Sequence, residues 1–288
     1  MTKLQRLILA NRNRKRLAAF ERIYTRQVYK VLKAVMDHYA AMLREHGVEY
    51  TRNHLDHLLT IEGLQTIIES LYKTVGLYYI KFTNKQLVVK SEKGFGKDLI
   101  WIKKILDYLR LRILVKVIRP IAETTIKRIL EIMSEGEEKG WGIDKMAFKM
   151  ESDTLTVARA RLITRTEMIQ AQWKATQIAR EESIWETTGE WVSAHDDRVR
   201  DSHLEVDGEV KKEGETFRVA RYRGKVLVGY DNMSGPGDPD ASIENLANCR
   251  CALAVRLARD ANGKLIRKSK IYVALPGTFT REREPITI

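Results

Sequence analysis

Apolar residues recur at three- and four-residue steps along the first part of the chain. Phe20, Ile23, Tyr24, Val28, Val31, Leu32 and Val35 form one such series, and neither Pro nor Gly interrupts residues 4–44. The pattern predicts an amphipathic helix over that stretch. A second series, from Leu55 through Leu64 and Ile68 to Leu71, predicts a helix over 53–82. His54 and His57 stand three apart there and would share a helix face. With only Asp56 beside them, they read as a surface pair rather than as metal ligands. A third series, Ile102, Ile105, Leu109, Ile113, Val117 and Ile118, spans 99–133, and Pro120 is expected to kink or break it. Loops are predicted at 91–98, where Gly94 and Gly96 fall, and at 134–142. Gly94-Phe95-Gly96 lacks the Lys-Ser/Thr pair and helix start of a phosphate-binding loop. A short helix follows 142, and residues 154–183, rich in Ala, Arg, Glu and Gln, predict one or two more.

Near residue 186 the pattern changes. Trp191 and Val192 sit in a strand-like run, and glycines become frequent at 208, 214, 224, 229, 235 and 237. Residues 216–230 predict a hairpin that turns near Arg223-Gly224, and the apolar run 249–258 predicts a strand. The expected fold class is α+β: a mostly helical region over 1–185, a small loop-rich α+β domain with a short antiparallel sheet over 186–258, and an extended tail over 259–288.

Charge adds a partner class. The 288 residues carry a formal net charge of +13 with an isoelectric point near 9.6. Such a balance favours a polyanion or an acidic protein surface. Residues 1–50 hold eleven Lys/Arg against four Asp/Glu, and Arg12, Arg14, Lys15 and Arg16 are the densest cluster. That cluster reads either as a helix face contacting DNA non-specifically or as the solvated side of an amphipathic helix. No helix-turn-helix or basic-zipper pattern accompanies it. No apolar run is long enough to span a membrane, and Leu7–Ala10 is too short for a signal-peptide core, so the expected place of synthesis is a reducing cytoplasm.

The two cysteines carry the chemistry. Cys249 and Cys251 flank Arg250 in the stretch Asn-Cys-Arg-Cys. A disulfide between them would close a very small, strained ring. Buried free thiols are one reading, and half of a tetrahedral Zn2+ site is the other. His203 and His195 lie in a segment, 191–208, that packs two His, four Asp and two Arg. His203, Cys249 and Cys251 would give three ligands, with His195 or one of Asp196, Asp197 and Asp201 as the fourth. Alternatively Asp197, Arg198, Arg200 and His203 form a hydrogen-bonded polar core. A metal-dependent hydrolase or nuclease built on the His/Asp cluster is the enzymatic reading, with "TRTE" (164–167) read as a salt-bridge pattern within a helix.

"TRTE", then "EWVSAHDDRVRDSHLEVDGEV" (190–210), then "PGDPDASIENLANCRCALAV" (236–255) together resemble the Mu F-like phage head morphogenesis family. The matching positions are Asp197, Arg198, Arg200, His203, Asp207, Gly208, Pro236, Gly237, Asp238, Cys249, Arg250 and Cys251. The resemblance covers about residues 155–256. It implies a minor capsid protein of the virion. Its partners would be the portal, the major capsid protein or the scaffold, with DNA as a non-specific partner and no membrane. Its role would be head assembly and DNA packaging or delivery rather than catalysis.

Overall fold

The computed structural model describes residues 1–87, 97–153 and 155–268. Helix α1 (Lys3–Asn53) starts from a capping box: the Thr2 hydroxyl accepts from the Gln5 N–H, and the Gln5 side chain accepts from the Thr2 N–H. Its buried stripe, Leu17, Tyr24, Val28, Leu32, Val35, Tyr39 and Leu43, follows the predicted spacing. The helix runs on past Arg44 through a kink at Gly47, where φ is +81°. Helix α2 (Leu58–Leu87) begins later than expected. His54 and His57 therefore lie in the connection: His54 caps α1 and stacks on Tyr50 at 3.9 Å between ring centroids.

Helix α3 (Asp98–Arg110) and a π-helical turn at Ile113–Ile118 lead into α4 (Arg119–Glu138). The long helix expected over 99–133 is interrupted directly before Pro120, between Arg110 and Arg119. Pro120 stands in the first turn of α4, immediately after the π-helical turn, in which the Arg119 N–H donates to the Leu114 carbonyl. The loop predicted at 134–142 is replaced by α4 as far as Glu138. Gly136 lies against the Met146 side chain of α5 (Ile143–Glu151), so packing overrides the local breaker signal. Helix α6 (Leu155–Glu181) is one continuous element. The loop expected at 91–98 lies almost entirely outside the described residues.

Helices α1, α2, α3 and α6 share one apolar core built on Val28, Leu32, Leu64, Leu71, Ile105 and Ala175. The far half of α1 forms a second core with α4 and α5. Past α6 come β1 (Thr187–Val192), the short α7 (Asp201–Glu205), β2 (Val210–Lys212), β3 (Phe217–Arg223), β4 (Val226–Met233), α8 (Ile243–Leu246) and β5 (Ala252–Leu257). An antiparallel sheet has the order β2-β1-β5, with Trp191 opposite Leu253, and β3-β4 form the predicted hairpin. These results bear out the α+β class. A third core, around Trp191, Phe217, Val219, Met233 and both cysteines, takes Ile169 from α6. Near its start α1 packs Ala10 on Val192 and Ala254 of the sheet. The first part of the expected tail is not extended: Arg259 bridges to Leu265 and Arg267 to Trp185. Residues after 268 lie outside the described part.

Candidate metal centre and the ties around it

Side chains two apart on an extended chain point the same way, and the one between points opposite. The Cys249-Arg250-Cys251 stretch entering β5 obeys that rule. Both thiols face His203 of α7, with Sγ to Nδ1 distances of 3.7 Å for Cys249 and 3.4 Å for Cys251. Arg250 reaches away to Asp196. All three facing residues are buried, and both cysteines are free thiols. The His203 ring meets the Trp191 ring edge-on at 5.3 Å, and Trp191 in turn packs on Phe217.

The hydrogen bond from Cys251 holds the Cys249 thiol well below its usual range despite burial, with help from His203. That same hydrogen bond, with burial, pushes Cys251 well above it. Among the described residues these three side chains form a group with donor atoms within 4.8 Å of one another. Zn–S bonds of about 2.3 Å and Zn–N bonds of about 2.0 Å place tetrahedral ligand atoms roughly 3.5 Å apart. The observed separations fit three corners of such a site. His195 does not supply the fourth: it has a left-handed backbone, φ +49°, and its Nε2 lies 3.3 Å from Asp207. Asp196 is engaged elsewhere, and Asp197 and Asp201 are exposed.

Asp196 ties three segments together. Arg250 grips its carboxylate with both terminal nitrogens, Arg14 of α1 donates at 3.2 Å, and Arg198 stands 3.7 Å away. Burial opposes ionisation of Asp196, but the bonds and charge of Arg250, with Arg198 and Arg14, hold its pKa down at about 2. The basic cluster in the sequence puts Arg14 on the outer face of α1, yet it is an internal tie. Asn13 is one too, donating to the Arg250 carbonyl and accepting from Tyr79. Arg12, Lys15 and Arg16 remain exposed, with Arg16 lying 4.4 Å over the Tyr78 ring.

Arg200, Asp207, Gly208, Gly237 and Asp238 also tie loops, whereas Asp197 and Arg198 are exposed and do not build the polar core expected of them with Arg200 and His203. Asp207 accepts from the Ser193 N–H at 2.7 Å and lies 3.5 Å from Arg6, and Gly208 makes the turn that follows with φ +85°. Arg200 donates to the Ala247 carbonyl. Asp238 accepts from both the N–H and the hydroxyl of Ser234. The Pro236-Gly237 turn lies against α6: Gly237 has φ +84°, and a Cβ there would come within 2.4 Å of the Ile169 carbonyl oxygen. Sequence reading missed Ser202, Asp231 and Asn245. Asn245 donates to Asp231 and to the Ala220 carbonyl and accepts from Ser202, joining α7, α8 and the hairpin. Nothing in a single sequence marks Ser202 and Asn245 as buried, or Asp231 as the acceptor for Asn245.

"TRTE" is no salt-bridge pattern within a helix. Arg165 reaches Glu21 at 2.8 Å and Asn248 at 3.0 Å. The Thr166 hydroxyl accepts from the Asn248 N–H, and Glu167 accepts from the Tyr72 hydroxyl at 2.9 Å. The stretch is a seam between α6, α1, α2 and the cysteine loop.

Residues 127–254, from within α4 to β5, match the family described as Phage Mu protein F like protein. No curated protein and no solved structure matches the chain.

Proposed function

We propose that this chain, a Mu F-like protein by its residues 127–254, is a minor component of a phage head. In this reading it sits at the portal vertex, assists head assembly and DNA packaging or delivery, and touches DNA non-specifically through its basic N-terminal helix. One observation carries the reading best: the polar side chains of the module are engaged with one another and with its loops around a buried His203. Asp196 clasps Arg250 and Arg14, His203 faces the thiols, and Asp238 clasps its own turn. Such side chains stabilise a loop-rich module so that it keeps one shape inside an assembly.

Exposed apolar residues support a docked state. Leu99, Ile100, Leu111, Leu114 and Val115 are exposed along α3, its C-cap and the π-turn, and Val226, Leu227, Val228 and Tyr230 along β4. In an assembly these side chains would be covered by a partner. No helix among the described residues is long and apolar enough to cross a membrane.

In the same reading Zn2+ occupies the His203, Cys249 and Cys251 group and acts as a staple, holding α7 to the start of β5. Zinc thiolate coordination would supply the folding energy that a small loop-rich module lacks. The hydrolase alternative draws on the fourth coordination position, which no ligand among the described residues fills. It is the weaker reading, because His203 is only 1% exposed and packed under Trp191. The function is tested by deleting the gene from the phage that encodes it and counting heads by electron microscopy. Empty or non-infectious heads, restored by the intact gene, are expected, and a normal yield of infectious particles refutes the assignment.

A further inference from the structure

We infer that the cleft between α1, α6 and the Asn248–Arg250 loop is a phosphate-binding site. The cleft has a volume of about 340 Å³, with Cys249 on its wall. One water occupies about 30 Å³ of liquid, so a phosphate group fits with room for its hydration. Cations reach it from four separate segments: Arg14 and Lys15 from α1, Arg165 from α6, Arg198 from the β1–α7 loop, and Arg250 from the cysteine loop. Two carboxylates answer those five positive charges. Asp196 is divided among Arg14, Arg198 and Arg250, and Glu21 between Arg161 and Arg165. Lys15 has no acidic partner among the described residues, and the Arg165 Nε is buried without a hydrogen-bond partner.

A structural network would match its charges. This one leaves an excess of three positive charges converging on an open cavity. Guanidinium groups recognise phosphate oxygens with paired donors, and a lysine adds a point charge. A cleft walled by protein also loses less of this attraction to salt than an open helix face does. The phosphate has two possible sources, a nucleic-acid backbone or a small free phosphate. This inference does not rest on the portal assignment. It moves the DNA contact from the outer face of α1, at Arg12 and Arg16, into the cleft.

The test uses the full chain and three proteins: wild type, Lys15→Ala/Arg198→Ala, and Arg12→Ala/Arg16→Ala. All four substituted side chains are exposed, so matching thermal melts will show that the fold is kept. Binding to a fluorescent DNA duplex is measured by anisotropy, and binding of pyrophosphate by calorimetry. The cleft variant is expected to lose about tenfold or more in affinity, the scale of one or two charge-assisted contacts. The helix-face variant should stay within about twofold. DNA binding that depends on the cleft assigns the site to a nucleic-acid backbone. Pyrophosphate binding alone, lost in the cleft variant, assigns it to a free phosphate. Equal or greater loss in the helix-face variant overturns the cleft while sparing the DNA contact of α1. Binding of neither probe by the wild type overturns both, and leaves the assembly role to be judged on heads alone.

Discussion

Replacing Glu167 by Gln should make the protein more stable in mild alkali and leave it nearly unchanged at pH 5. Glu167 lies in the helical core, where burial raises its pKa from 4.5 to about 7 even though the Tyr72 hydrogen bond pulls the other way. A raised carboxyl pKa means that the folded state binds the proton more tightly than the unfolded chain. Stability from this group is therefore greatest below pH 4.5 and falls as pH rises through 7. A tenfold difference in proton affinity between the folded and unfolded chain is worth about 1.4 kcal/mol, so the charge costs the fold roughly 3 kcal/mol at pH 8 and under about 1 kcal/mol at pH 5. Gln keeps an acceptor for Tyr72. Its amide can also donate to the Gln170 Oε1, which lacks a partner in the native protein. Urea unfolding at pH 5, 6, 7 and 8 measures the difference between variant and wild type. A gap that opens with pH, to between about 2 and 3 kcal/mol at pH 8, is expected. A gap that is constant across pH, or a loss of stability at pH 8, refutes the assignment of Glu167 as a buried, costly charge.

Further predictions concern the cysteine module. Purified protein should carry about one equivalent of zinc by elemental analysis, and Cys249→Ser/Cys251→Ser should carry none and melt earlier. A metal-free wild type with an unchanged melt contradicts the staple. Asp196→Asn should weaken the tie between α1 and the module. Because the Asp196 pKa is depressed to about 2, its contribution is present above pH 3.8 and is lost as pH falls toward 2. The difference in urea midpoint between wild type and Asp196→Asn should therefore shrink over that window, and a constant difference would show that the carboxylate does not act through its charge. Gly237→Ala should cost clearly more than Gly214→Ala. Both have positive φ, which costs about 1–2 kcal/mol for an L residue, but only the Cβ at 237 meets backbone, at Ile169. Equal losses in urea unfolding would mean that the Pro236-Gly237 turn is not seated on α6.

Much of the architecture was legible because it is local. The buried stripe of α1, the hairpin turn near Gly224 and the alternation of Cys249, Arg250 and Cys251 all follow from periodicity. What stayed hidden was long-range partner choice. Arg14 and Asp196 are 182 positions apart, and nothing in the basic cluster singles out its one inward-facing arginine. His195 and His203 look equivalent in sequence, yet only His203 sits on α7 facing the thiols, while His195 turns to Asp207. The helix through Gly136 survives because Met146 packs on it, a contact that local propensity does not encode.

The head assignment is tested most directly by quantitative mass spectrometry of purified particles of the encoding phage, with the portal protein as internal standard. Peptides of this chain should be present in mature heads at low copy, in fixed ratio to the portal. Heads that are infectious and contain none of the chain would contradict the account.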